Sequence, residues 1–197
     1  GTDYTVSLGS FAVESKTFSA QFQQPQIDLD SDNVLTVKAE QGYDYLSATD
    51  EVLMTQKYNV DSNIGATTTS GDVKIKLTGE NDAPVAIDDS AIIAENQSIN
   101  IASLNNDIDV DNGAVLSVDS ASSTRGLTTT DGNTVTFSAN TDFDYLAQGD
   151  TTTETISYTA KDEYGATDTA SIDTTITGVN DAPVAIDDSA IIAENQS

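Results

Sequence analysis

The chain has 197 residues, room for one or two domains with buried cores, and Asp plus Glu outnumber Lys plus Arg by 33 to 7 for a formal charge of −26. That balance excludes nucleic acid and anionic membrane as partners, because both need Lys and Arg to neutralise phosphates or lipid head groups. The absence of Cys, His and Trp removes disulfide staples, thiolate or imidazole metal sites and most nucleophiles and general bases, so hard oxygen chemistry remains.

No stretch approaches the roughly 20 apolar residues of a membrane span, and no basic and apolar signal segment opens the chain, so the expectation is a soluble piece excised from a longer protein. In chain order, the first 80 residues hold several aromatics (Phe11, Phe18, Phe22, Tyr43, Tyr45), the Gln-rich run Gln21 to Gln26, and Asp28-Leu29-Asp30-Ser31-Asp32-Asn33. Apolar alternation at Val73, Ile75 and Leu77 then predicts a strand with one buried face.

Asn81 to Ser98 (NDAPVAIDDSAIIAENQS) recurs letter for letter as Asn180 to Ser197, a period of 99 residues. This is too long for a solenoid repeat and suits one immunoglobulin-sized sandwich. Tyr43-Asp44-Tyr45-Leu46 parallels Phe143-Asp144-Tyr145-Leu146, and Tyr58 with Gly65-Ala66-Thr67 parallels Tyr158 with Gly165-Ala166-Thr167. Asp28 to Asn33 likewise echoes Asp107-Ile108-Asp109-Val110-Asp111-Asn112, which makes Val37 to Tyr43 a shortened counterpart of Val118 to Phe143. The predicted division is a divergent, shortened domain at 1–80, a complete repeat at 81–179 and the start of a third at 180–197.

In the second unit, Ile156, Tyr158 and Ala160, then Ala170, Ile172 and Ile176, alternate as strands, and Asp131-Gly132-Asn133 before Thr134-Val135-Thr136-Phe137 reads as a turn. Thr fills many other positions, as suits a half-exposed pleated surface, and no helical stripe is sustained. The expected class is all-β: tandem antiparallel β-sandwich domains, immunoglobulin- or cadherin-like, joined end to end.

Acidic residues cluster at Asn81-Asp82, Asp88-Asp89, Glu95-Asn96, Asp107/Asp109/Asp111, Asp144 and Asp162-Glu163. The strand-end loops of a sandwich gather at two poles, so these clusters can converge where units meet. Crowded carboxylates repel until a divalent ion joins them, and Asp, Glu and Asn without nitrogen ligands favour Ca²⁺, which takes about six to eight oxygens in irregular geometry. An EF-hand is excluded because position 118 is Val, not the closing Glu. Asp88-Asp89 reads as an edge guard or turn as readily as a ligand pair.

The Gly79-Glu80-Asn81-Asp82-Ala83-Pro84 linker, the Leu104-Asn105-Asn106-Asp107-Ile108-Asp109-Val110-Asp111 run and Ala160-Lys161-Asp162 with Gly165 resemble the bacterial cadherin-like repeats, close to VCBS domains, of large RTX-type adhesins. The resemblance implies that Glu14, Asp44, Asn81, Asp82, Asp107, Asp109 and Asp162 surround calcium at the first junction, with Glu95, Asp144, Asn180 and Asp181 in the same parts at the second. Position 79 departs by being Gly where many such linkers carry Asp, and Asp61 sits one place off the alignment with Asp162. The paired-glycine nonapeptide of the parallel β-roll is not present.

The resemblance implies a non-enzymatic, secreted extender on the bacterial cell surface, stiffened by calcium, with neighbouring repeats of the same chain as its partners and a role in cell adhesion or biofilm formation. An alternative makes the first unit a carbohydrate- or peptide-binding module that meets a surface glycan or protein, resting on its aromatics and Gln-rich run.

Overall fold

The computed structural model describes residues 4–16, 24–38, 42–64, 68–191 and 194. Phe18, Phe22, Gln21, Gln23 and Gly65-Ala66-Thr67 lie outside the described residues. Twelve strands carry the fold among those described. Five come from the first unit: β1 (Tyr4–Lys16), β2 (Gln26–Leu29), β3 (Leu35–Lys38), β4 (Glu51–Ser62) and β5 (Thr69–Thr78). Seven follow: β6 (Asp89–Ala94), β7 (Ser98–Ile101), β8 (Ser117–Ser122), β9 (Leu127–Thr130), β10 (Val135–Ser138), β11 (Thr151–Lys161) and β12 (Thr167–Thr177). Two 3₁₀ turns, Ser103–Asn105 and Asn140–Phe143, complete the regular structure among the described residues.

The second unit is a β-sandwich whose sheets run β6-β12-β11-β8 and β7-β10-β9. Along β11, Glu154, Ile156, Tyr158 and Ala160 are buried while Thr153, Thr155 and Ser157 are exposed, the period-two signature of a half-buried sheet. Ile156, Tyr158, Ala160, Ile172 and Ile176 meet Val118, Val135, Phe137 and Phe143 in one core. Phe137 and Phe143 pack edge to face with centroids 6.4 Å apart, an orientation that aromatic quadrupoles favour. Burying each such side chain contributes about 1.5 to 3 kcal/mol before the entropy of ordering is set against it.

One pairing departs from the antiparallel pattern of the sandwich. β6 runs parallel to β12, with Ile93 opposite Ile176, because the chain crosses to the other sheet at β7 and does not turn back along β12.

The first unit has a three-stranded sheet, β1-β4-β5, and a separate hairpin, β2-β3. Its core is small: Leu46, Val52 and Met54, with Phe11, Tyr43, Tyr45, Ile75 and Leu77 packed against them. Three of the aromatics that motivated a ligand-binding module therefore face the interior.

The structure also corrects the internal alignment. Asp28 to Asn33 belongs to the β2-β3 hairpin, where Asp30 Oδ1 accepts the amides of Asp32 and Val34 at 2.9 and 2.8 Å. Its chemical counterpart is Asp131 in the β9-β10 hairpin, whose Oδ1 accepts the amides of Asn133 and Thr134, each at 2.8 Å, and not the 107–112 run. Both are side-chain mimics of a turn, which is why they look alike in sequence to any Asp-rich loop. Matched this way, β1 to β5 correspond to β8 to β12, and the part without a described counterpart in the first unit is β6, β7 and the 107–112 loop, not a hairpin between Val37 and Tyr43.

Candidate metal centre

The linker is built by side chains that return to hold it. Asn81 Nδ2 donates to its neighbour's carbonyl, Asp82 O, at 3.0 Å and to Asp162 Oδ2 at 2.8 Å. Asp82 N donates to Asp111 Oδ2 at 3.0 Å. Beyond Pro84, Val85 and Ile108 form an antiparallel bridge, and Ile87 N donates to Asp107 Oδ1 at 2.8 Å. The chain between the units is thus pinned along the 107–111 loop, one contact every second or third residue.

Asp162 sits at the hub of a tight turn. Its Oδ1 accepts the amides of Tyr164, Gly165 and Ala166 at 2.9, 2.6 and 2.9 Å. Burial alone would raise its pKa, but the Asn81 amide and these three N–H groups outweigh that and hold the carboxyl below the usual Asp range. Gly165 closes the turn at φ +96°.

Asp109, Asp111, Asp82 and Glu163 form an acidic corner beside this hub. Asp109 Oδ1 accepts Asp111 N at 2.9 Å, and Glu163 Oε2 accepts Val115 N at 2.9 Å. Asp109 Oδ2 and Asp111 Oδ1 are buried with no hydrogen-bond partner. Asp111 is only 6% exposed; burial, and then the charges of Asp109, Asp82 and Glu163, push its pKa up against the pull of the Asp82 amide.

The first unit meets this corner directly. Asn112 N donates to Tyr45 O at 2.9 Å, Asn112 Nδ2 reaches Asp50 Oδ2 at 3.4 Å, and the Tyr164 hydroxyl lies 3.4 Å from Thr49 Oγ1. Asp50 is 5% exposed. A Cβ on Gly79 would stand 2.2 Å from Ser47 O and 2.3 Å from Leu46 O, so the linker passes too close to the 46–47 turn for any other residue. This is the physical reason for Gly at the position where the resemblance expects Asp.

The candidate ligands divide. Asn81, Asp82, Asp109 and Asp162 come together at the corner. Asp107 turns inward: the Tyr158 hydroxyl lies 2.9 and 3.1 Å from its two oxygens, and burial first, then this bond, raises the Tyr158 pKa. Glu14 is on β1, ion-paired to Lys74 at 2.8 Å, at the sheet edge that β8 occupies in the second unit. Glu95, by contrast, follows β6 on the opposite edge. Asp44 is exposed in the turn before Leu46. Asp61, near the end of β4, accepts from Thr68 Oγ1.

At the second linker, Glu95 Oε1 accepts Val179 N at 2.5 Å while its Oε2 is buried without a partner. Asn180 Nδ2 donates to Asp181 O at 3.2 Å, as Asn81 does to Asp82, and Asp144 is exposed. Asp88 Oδ1 accepts the Ser171 amide and hydroxyl, both at 2.9 Å, a tie between β6 and β12. Asp89 has a buried unpartnered oxygen, and burial, then Asp107 and Asp88, raise its pKa.

The residues missed as ligand candidates are Asp50, Asp111 and Glu163. Asp111 and Glu163 stand inside acidic runs already visible; Asp50 had one signal, its match to Asp150 at the same distance from Tyr-Leu in both units. The donor set is all hard oxygen, and two buried carboxylate oxygens without hydrogen-bond partners fit a hard cation. Among the described residues no three acidic side chains are gathered closely enough to enclose an ion, and Asp162, Asp109 and Asp111 each give an oxygen to backbone amides.

Residues 81–178 match the family model described as "Bacterial cadherin-like domain", and these residues fold as a β-sandwich. Solved structures similar to the chain include protocadherin gamma B7 extracellular cadherin domains 1-4 (13% identity, 90% of this chain and 46% of that one, TM-score 0.45). Mouse clustered PcdhgC3 EC1-3 shows 16% identity over 88% of this chain and 56% of that one, with TM-score 0.44. Drosophila N-cadherin EC1-4 shows 13% identity over 90% and 42%, with TM-score 0.49. The chain spans about half the length of these structures or less. No curated protein matches it, and among the described residues no helix is long and apolar enough to cross a membrane.

Proposed function

We propose that the chain is a non-enzymatic, calcium-stiffened extender of a bacterial cell-surface adhesin, secreted and serving cell adhesion or biofilm formation. The observation that carries this reading is the corner at the linker, where Asp109 and Asp111 bury carboxylate oxygens without partners while Asp82 and Glu163 add like charge. A divalent cation reverses the sign of that repulsion. Asn81, Asp82, Asp109, Asp111 and Glu163 would hold it from one side, and Asp50 from the turn of the first unit. Asp162 and Asp107 act by fixing the loops that carry these donors. At the second linker Glu95, Asp144, Asp150, Asn180 and Asp181 are the corresponding set.

Calcium bound there supplies charge neutralisation and a shared set of ligands between adjoining units, so its effect is mechanical. Extracellular modules bind calcium with dissociation constants on the order of 10⁻⁴ to 10⁻³ M, which suits locking outside the cell and not within it. The test is a thermal melt across a calcium titration, on the wild type and on Asp82→Ala and Asp109→Ala. A calcium-dependent rise that both substitutions abolish supports the reading. Parallel curves for all three proteins would overturn it.

A further inference from the structure

Of the asparagines in this chain, only Asn112 is followed by glycine. The pair occupies the centre of a turn closed by Ala114 N donating to Asp111 O at 3.2 Å, with Gly113 at φ +79°, the left-handed setting that a type II turn asks of its third residue. Both residues are exposed, and nothing stands within 4 Å of where a Gly113 Cβ would be. Among the described residues no hydrogen bond engages the Gly113 N–H. That nitrogen is hindered neither by a side chain of its own residue nor by a bond it would have to give up. The Asn112 side-chain amide is itself held by one long contact, Nδ2 to Asp50 Oδ2 at 3.4 Å.

We propose that Asn112-Gly113 is a self-modification site through which the junction between the units gains a negative charge as the protein ages. The Gly113 nitrogen gives its proton to water or hydroxide and bonds to Asn112 Cγ. The bond from Cγ to the side-chain nitrogen breaks, ammonia leaves, and a cyclic imide closes. Water then opens the ring. Cutting the imide bond at Cγ leaves Asp, and cutting it at the main-chain carbonyl leaves isoaspartate, with the chain now running through the side chain. The sum is asparagine plus water giving an acid plus ammonia, with no oxidant or reductant.

The place makes the change matter. Asn112 N donates to Tyr45 O at 2.9 Å, and the facing Asp50 is 5% exposed while Asp111, one residue back, is 6% exposed. A further carboxylate beside these two meets like charge with little water to screen it. Isoaspartate also inserts a methylene into the main chain next to the bond to Tyr45. Asp131-Gly132 offers a comparable glycine at the β9-β10 turn, but Asp131 Oδ1 is held by the amides of Asn133 and Thr134, each at 2.8 Å.

The test holds the full chain at mildly alkaline pH in chelator and samples it by peptide mass mapping. Asn112 is expected to lose its amide ahead of every other asparagine, giving Asp and isoaspartate together. Asn112→Gln, whose longer side chain closes a larger and slower ring, is expected to keep its amide. Hydrogen exchange in the facing 46–50 turn of the first unit is expected to run faster in aged wild type and in fresh Asn112→Asp than in fresh wild type, and to stay unchanged in aged Asn112→Gln. Circular dichroism matching the wild type establishes that each protein is folded. A retained Asn112 amide, loss at equal rates across the asparagines, Asp formed without isoaspartate, or conversion that leaves the exchange of the 46–50 turn unchanged would each overturn the proposal. No arm contains calcium, so the outcome is separate from that of the extender reading.

Discussion

The turns that end the two units are built alike and buried unlike. Tyr45-Leu46 to Asp50 and Tyr145-Leu146 to Asp150 share the same backbone bonds, Gly79 N to Asp50 O at 3.0 Å and Gly178 N to Asp150 O at 2.8 Å. Asp50 and Ser47 are 5% and 4% exposed, whereas Asp150 and Ala147 lie open and Tyr145 is 60% exposed. The difference is the cover that Asn112 and Tyr164 bring from the second unit. Local sequence therefore makes the turn, and the cover from the second unit makes the burial of its carboxylate.

The largest expected effect tests the part that the two turns share. Gly79→Ala and Gly178→Ala each place a Cβ 2.2 to 2.3 Å from a turn carbonyl, and each should cost about 3 kcal/mol in urea unfolding of its own unit, the upper end of an overpacked site. A tolerated Gly79→Ala beside a damaging Gly178→Ala would show that the first linker moves away from its turn.

Next is Asp111, whose pKa burial and like charge raise. A carboxyl raised in the folded state favours folding at acid pH, and that contribution is lost as pH rises through its folded value. In chelator, Asp111→Asn should therefore melt higher than wild type at neutral pH and lose this pH dependence. In calcium it should forfeit most of the gain, about 2.7 kcal/mol when free ion is a hundred times the dissociation constant. Asp150→Asn, at the open turn, should leave the neutral-pH melting temperature in chelator unchanged.

Tyr158→Phe removes the donor to Asp107 and should cost about 1.5 kcal/mol, with little change in the calcium response. Because the folded state raises the Tyr158 pKa, its contribution is present below about pH 10 and lost as pH climbs through the folded value. Alkaline unfolding should move to higher pH relative to neutral stability in the Phe variant. The smallest effect is Asn112→Ala, which removes a 3.4 Å side-chain contact but keeps the backbone bond to Tyr45. It should cost under about 1 kcal/mol, seen as faster amide exchange at the junction.

The repeat, the strand alternation and the Asn81-Asp82 linker with Asp109 and Asp162 were legible because each is a local pattern that recurs or returns to one loop. Asp107 was not. Its partner Tyr158 is 51 residues away, and nothing in a run of alternating Asp says which member faces inward. The resemblance gives Glu14 and Glu95 the same part, but sheet edges are decided by pairing, and β1 takes the edge of β8. Asp28 to Asn33 misled because Asp-capped turns share a composition whatever they join. The parallel β6 was hidden for a similar reason: alternation reports which face is buried and is silent on direction.

The most direct measurement of the calcium claim is small-angle scattering of the wild-type chain in calcium and in chelator. A longer, narrower distance distribution in calcium that relaxes when the ion is withdrawn is the predicted result. Superimposable curves in the two conditions would contradict it, leaving the acidic corner a solvated surface held by its own amides.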